Sequence, residues 1–266
     1  MSLQIPRLSA HSLKQHQLCP RKFALAYKAG RFWPASDRHP EPPDGLDPLA
    51  LGSAFHQLVQ WHQMGLAVDH CLAAWSEALP PLEGLWQAFL VSPYAHLGDG
   101  ERVFTEQTLS FFLEGAPFSA RFDRLVQDGD GWTIIDWKTG QISPKGLATN
   151  WQTRLYPFAL VEAGHVLNGG EAIAPDRVRM IYWEVASGRA FPFDYDARRH
   201  ESTRRELAAL AKTLMQDFDP SLPDDPRFPR KTEHCGVCAY EALCHARARS
   251  RGEPPTLPLP RFEETR

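Results

Sequence analysis

Four cysteines constrain this chain most. Cys19 stands near one end, in Leu18-Cys19-Pro20-Arg21-Lys22-Phe23, and Cys235, Cys238 and Cys244 stand near the other as C-x2-C-x5-C. A tight thiol triplet with one distant thiol is a ligand set for a metal ion or an iron–sulfur centre, whose ligands must converge on one point. The expected fold therefore brings its two ends together around whatever lies between. Cys71, the fifth cysteine, falls in an apolar helical stretch and is expected to be a buried thiol.

Composition sets the class. The 266 residues are 43% hydrophobic and 23% charged, ordinary values for a soluble globular protein able to bury a sizeable core. No apolar run is long enough for a bilayer span, and Met1–Pro6 lacks the charged start and apolar stretch of a signal peptide. A cytoplasmic location is the expectation, and in a reducing medium clustered cysteines point to a metal rather than to disulfides. The net charge of −3 does not advertise a nucleic-acid binder, but phosphate binding needs only a local patch. Arg198, Arg199, Arg204 and Arg205 open a late helix and are one candidate, with a solvated helix face as the plainer reading.

The periodicity predicts helices over 9–29, 49–64, 68–78, 84–91, 148–165 and 197–217. It predicts strands over 102–113, 118–127, 132–138, 177–185 and 189–195, with a turn at Asp128-Gly129-Asp130-Gly131. Residues 30–48 and 219–231, rich in Pro and Asp, read as loops, and the tail from 251 as flexible. Residues 1–250 are expected to form one domain. The order predicts an α/β fold with a mixed central β-sheet flanked by helices.

The chemistry gathers in the predicted hairpin. Asp136 and Lys138 are two apart on one strand and share a face, while Ile135 and Trp137 take the other. Arg121 and Asp123 share a face of the preceding strand, and a hairpin closed at 128–131 sets Asp123 opposite Asp136. Two converging carboxylates repel unless a cation lies between them, and hard oxygen ligands in a half-open site suit Mg²⁺ or Mn²⁺. A lysine beside them can orient water and steady a phosphate, the equipment for phosphodiester hydrolysis. An Asp-x-Lys triplet alone is more often solvated strand surface. Gly52 and His56 are one helical turn apart, as are Gln152 and Tyr156, and each pair can reach the same patch. Glu106 is a possible extra carboxylate or an ordinary surface residue.

Taken in order, Gly52-x3-His56, Asp123, Asp136-Trp137-Lys138-Thr139-Gly140 and Gln152-x3-Tyr156 resemble the RecB-type nucleases of the PD-(D/E)xK superfamily. The cysteine pattern resembles that family's iron–sulfur branch, which includes AddB nuclease domains, CRISPR-associated RecB-like exonucleases and exonuclease V. The resemblance runs from about residue 8 to 246 and implies a restriction-endonuclease-like fold. It implies a metal held by His56, Asp123, Asp136 and the Trp137 carbonyl, with Lys138 activating water and Gln152 and Tyr156 supporting the site. It implies a structural [4Fe–4S] cluster on Cys19, Cys235, Cys238 and Cys244. Two departures stand out. Ala120 replaces the usual glycine three residues before Asp123, and Pro157 biases Tyr156 towards a kink.

The expected function is thus a metal-dependent DNase, an exonuclease by resemblance, acting on single-stranded DNA or free ends in repair, recombination or CRISPR-type processing. No G-x4-GK[ST] loop appears, so a helicase would be a partner rather than part of the chain. The alternative is a non-catalytic DNA-binding or assembly subunit keeping the same fold. Zn²⁺ is the alternative occupant of the cysteines, with His234 or His245 as substitutes.

Overall fold

Two tight turns organise the centre of the chain. Leu113 pairs with Ala116 across Glu114 and Gly115, both at positive φ (50° and 75°), the paired left-handed conformation of a two-residue hairpin turn. Asp128 pairs with Gly131 across the second turn. These turns fold β1 (Arg102–Leu113), β2 (Ala116–Asp128) and β3 (Gly131–Lys138) into a meander. The structure is a computed structural model and describes residues 7–30, 46–98, 102–222 and 225–245.

The sheet has five strands in the order β1-β2-β3-β4-β5. β4 (Val178–Glu184) runs parallel to β3, and β5 (Arg189–Asp194) closes antiparallel to β4. A parallel pair needs a crossover. α6 (Trp151–Ala163) supplies it and packs on β1, β2 and β4, with α7 (Ala197–Leu214) against α6. α3 (Pro48–Gln63), α4 (Asp69–Ala78) and α5 (Pro81–Leu90) share a second core with the sheet. There Phe55, Phe89, Trp137 and Trp183 bury large rings, at 5.8 Å between Phe89 and Trp137 and 5.6 Å between Trp137 and Trp183. The α/β architecture with a mixed sheet is as expected.

The chain separates into two compact units. The larger falls within Ile5–Leu13 and Glu41–Met215, and the smaller within Lys14–Pro40 and Gln216–Arg266. In the smaller unit Phe23 stacks on Tyr27 and on Phe228, and Phe228 meets Phe218 edge-on at 5.5 Å. Backbone and side chain tie its two segments together: Arg21 N–H donates to Pro229 O, and Lys231 Nζ to Gln17 O at 2.8 Å.

Two expectations need correction. The helix expected over 9–29 breaks at Cys19, which is extended (φ −159°, ψ 109°) between α1 (Ala10–Leu18) and α2 (Pro20–Phe23). Pro20 crowds the residue before it out of the helical region. After α2 the backbone widens into a π-turn, Ala24–Lys28. Cys71 is half-buried at the edge of the α3–α5 core rather than fully enclosed. Most of the expected loop 30–48, and the tail from 251, lie outside the described residues. The charged face of α7 is largely neutralised: Arg199 pairs with Asp196, Arg204 with Glu162 and Arg205 with Glu201. This favours the solvated-face reading.

Candidate active site

The register of the sheet builds the site. β1 and β2 pair Thr105 with Arg124 and Gln107 with Phe122, which places Glu106 directly across from Asp123. β2 and β3 pair as far as Arg124 and Ile135, so Asp136 stands one step beyond, across from Asp123. Three neighbouring strands thus bring Glu106, Asp123 and Asp136 into one row. At this row the regular ladder gives way. Glu106 adopts a positive φ of 51°, and the Trp137 N–H donates to Asp123 Oδ2 at 2.9 Å instead of to a strand carbonyl.

Asp136 is almost wholly buried, and two side chains grip it. Lys138 Nζ lies 2.5 Å from its Oδ2, and Gln152 Nε2 donates to its Oδ1. The other end of the same amide, Gln152 Oε1, accepts from Lys138 Nζ at 3.1 Å. Gln152 reaches this position because Asn150 caps α6, its side chain accepting the Gln152 N–H at 3.0 Å. Tyr156 follows one turn later, packed edge-on against Phe122 at 5.3 Å. α6 runs on through Pro157, so the proline ends nothing there.

His56 comes from α3, which Asp47 caps and Pro48 opens. Its Nδ1 lies 3.4 Å from Asp123 Oδ1. One turn earlier stands Gly52, beside Thr139: a Cβ there would make ordinary contact with Thr139 Oγ1 at 3.4 Å. His56, Glu106 and Asp123 can bring one ligand atom each within 4.8 Å of the others. His56, Glu106, Asp123, Asp136, Lys138 and Gln152 line one open cavity of about 720 Å³.

Burial and neighbouring carboxylates set the electrostatics of the cavity. Burial alone would lower the His56 imidazole, but the Asp123, Asp136 and Glu106 carboxylates together outweigh it and the pKa rises. Burial opposes the Lys138 ammonium too, and Asp136 more than compensates. Burial pushes the Asp136 carboxyl up, against the pull of Lys138 and with the help of Asp123. Glu106 and the Tyr156 phenol rise for the same reasons, burial first and neighbouring carboxylates second. At His56 and Lys138 the carboxylates prevail over burial, and a divalent cation among these oxygen and imidazole donors would neutralise that negative charge. The donor set therefore fits such an ion.

Two residues that pattern reasoning did not single out shape the wall. Glu184, opposite Lys138 on β4, accepts the Ile142 N–H at 2.5 Å and pairs with Arg189 at 2.9 Å, pinning the segment after Thr139 along the cavity. Thr153 donates to Leu147 O at 2.6 Å and shares a hydrogen bond with the Tyr182 hydroxyl, fixing the other end of that segment. Neither carries a local sequence signal. Glu106 does: counting back from the turn at Glu114-Gly115 places it opposite Asp123.

In the smaller unit, Cys19, Cys235, Cys238 and Cys244 line one cavity of about 170 Å³, beside Arg21 and Arg230. The Arg21 side chain lies 5.0 Å over the Phe218 ring and is 3% exposed, yet its Nε and Nη1 have no hydrogen-bond partner. A buried guanidinium with orphaned donors calls for an anion. Thiolates around a metal centre carry net negative charge, so the donor set and its surroundings fit one.

A family description matches residues 7–245, that of the PD-(D/E)XK nuclease superfamily. No curated protein matches the chain. Among solved structures, a provisionally named exonuclease from Eubacterium rectale is similar at a TM-score of 0.49 and 11% identity, over 79% of this chain and 80% of that one. The protein SSO0001 is similar at a TM-score of 0.35 and 15% identity, over 73% of this chain and 84% of that one. No helix among the described residues is long and apolar enough to cross a membrane. With nearly its whole length matched, the chain belongs to the PD-(D/E)XK nuclease superfamily.

Proposed function

We propose that this protein is a divalent-cation-dependent deoxyribonuclease of the RecB-like branch, an exonuclease that takes single strands or free ends. Residues 1–250 act as one nuclease domain in a cytoplasmic protein of DNA repair, recombination or CRISPR-type processing, alongside a helicase or other proteins of those pathways. One observation carries the reading: Asp136 is gripped by Lys138 and Gln152 beside Asp123, in a cavity open to solvent.

His56, Asp123, Asp136 and the Trp137 carbonyl would hold the cation, with Glu106 beside His56 and Asp123. Mg²⁺ or Mn²⁺ bound there supplies Lewis-acid stabilisation of the phosphoryl oxygens and lowers the pKa of water. Lys138, kept as an ammonium by Asp136, donates towards the attacking water or the phosphate. Gln152 fixes the direction of that donation, and Tyr156 backs Gln152. In the reaction a water oxygen bonds to phosphorus, the phosphorus–oxygen bond to the leaving nucleoside breaks, and the proton lost by water balances the one the leaving alkoxide gains.

The cysteine cavity is read as the seat of a structural [4Fe–4S] cluster. Four thiolates match its ligand count.

The test is incubation of purified protein with end-labelled single-stranded, double-stranded and circular DNA and Mg²⁺ or Mn²⁺. Cleavage that needs the cation, spares circles and falls about 10²–10⁴-fold in Lys138→Ala is expected. Binding without cleavage would instead favour the non-catalytic assembly subunit. Iron and sulfide analysis of anaerobically purified protein decides the cluster, and stoichiometric zinc in a colourless protein would overturn it.

A further inference from the structure

We infer that Arg121 forms a second anion subsite, which binds the phosphate next to the scissile one on the same strand. This rests on the nuclease reading and extends it to how the strand is held.

Among the described residues lining the cavity, two are permanent cations, Lys138 and Arg121. Lys138 sits at Asp136 and Gln152, at 2.5 and 3.1 Å, where its remaining donor serves the scissile phosphate or the attacking water. Arg121 is placed differently. Its side chain is 69% exposed, and its contact with Glu106 Oε2, at 3.1 Å, uses the inner nitrogen Nε. The terminal nitrogens lie beyond that anchor, where an arginine fork meets a phosphate with two parallel hydrogen bonds.

The anchor is built by the fold. Arg121 pairs with Thr108 across β1 and β2, so Glu106 is its diagonal neighbour. The Glu106 side chain is only 12% exposed and sits on backbone at positive φ. An ion pair with one partner largely in water contributes little to stability, about 0–1 kcal/mol. A strained residue whose buried carboxylate steadies an exposed guanidinium is better explained by a ligand than by the fold.

Position selects which phosphate. Arg121 is two residues from Asp123 on β2, a step of about 7 Å along the strand. That is comparable with one nucleotide of an extended single strand. With the scissile phosphate at Asp123 and Asp136, the neighbouring phosphate falls at Arg121.

The test compares the wild type with Arg121→Ala and Arg121→Lys on two substrates, with Mn²⁺ present. One is a single-stranded oligonucleotide, and the other is thymidine 5′-p-nitrophenyl phosphate, which has one phosphodiester and no neighbour. In Arg121→Ala, KM for the oligonucleotide should rise about tenfold or more with a smaller change in kcat. The loss of kcat/KM on the single diester should be at least tenfold less. The slope of log KM against log salt should fall by about 0.7, one phosphate contact to a single strand. Arg121→Lys should keep the slope while recovering only part of the affinity. A neutral methylphosphonate at the neighbouring linkage should weaken the wild type and scarcely affect Arg121→Ala.

Equal losses on both substrates, or an unchanged salt slope with additive methylphosphonate and mutation effects, would overturn the subsite. A wild type that cleaves neither substrate removes the nuclease reading and the subsite together. A wild type that cleaves both, with Arg121→Ala indistinguishable from it, removes the subsite alone.

Discussion

Asp123 Oδ2 accepts the backbone N–H of Trp137 at 2.9 Å, so one carboxylate both completes the β2–β3 junction and faces the cavity. The hydrogen bond orients Asp123 and fixes the backbone between Asp136 and Lys138. Fold and chemistry therefore meet in a single side chain, and substitutions can separate them.

Asp123→Asn keeps an oxygen for the Trp137 N–H but loses the charge. Asp123→Ala loses both. Urea unfolding should show Asp123→Asn close to the wild type and Asp123→Ala weaker by about 1–3 kcal/mol, the cost of leaving a buried donor unmet. Calorimetric titration with Mn²⁺ should show weakened binding in both. Unaltered Mn²⁺ affinity in Asp123→Asn would remove Asp123 from the ligand set.

Gln152 holds Asp136 with one end of its amide and Lys138 with the other. Gln152→Ala should lower kcat about 10–100-fold through misorientation of Lys138, and unfolding free energy by about 1–3 kcal/mol because the buried Asp136 carboxylate loses a donor. Tyr156→Phe should cost less, since its phenol reaches the chemistry only through Gln152. A larger loss in Tyr156→Phe than in Gln152→Ala would mean that the tyrosine contacts the substrate itself.

The acid side of stability should report Glu184. Hydrogen bonds from Ser187 and from the Ile142 N–H, then Arg189, hold its carboxyl down at about 2 against an ordinary 4.5. The folded state thus binds this proton less readily than the unfolded state. The stabilisation is present above about pH 4.5 and is lost as pH falls through about 2. Glu184→Gln should lose roughly 1–3 kcal/mol at neutral pH. Its stability should also fall less steeply than the wild type's between pH 4.5 and 2. Parallel acid limbs in the two proteins would show that Glu184 is not the titrating group.

Arg21 links the cysteine cavity to stability. Cys235→Ser should lower iron content and Tm without altering the order of effects at Lys138 and Asp123. With the centre stripped by oxidation and chelation, the Arg21 charge is left buried and uncompensated. Arg21→Leu should therefore destabilise the loaded protein but raise the Tm of the stripped one, by about 2–10 °C for roughly 1–3 kcal/mol. A stripped Arg21→Leu protein that melts below the stripped wild type would show that the guanidinium is satisfied within the protein.

Much of the larger unit was legible along the chain, because its determinants are local. The alternation from Ile135 to Lys138 assigns each side chain to a face, and the Asp128–Gly131 turn brings β3 back along β2. Asn150 caps α6 where the helical period begins, which sets Gln152 and Tyr156 one turn apart. The break at Cys19 was legible too, in Pro20, but the apolar spacing across 9–29 masked it.

What the sequence determined by itself was therefore the strands, the turns and the short-range pairs, each governed by backbone sterics and periodicity within a few residues. The tertiary structure alone decided the rest. Glu184 reaches Ile142 only because β4 lies parallel to β3, and Arg21 is an unmet charge only once the chain around it excludes water. Burial and cross-strand proximity depend on residues far apart in the chain. The carboxylate pair could be foreseen from a turn, but not the wall that fixes it or the field that surrounds it.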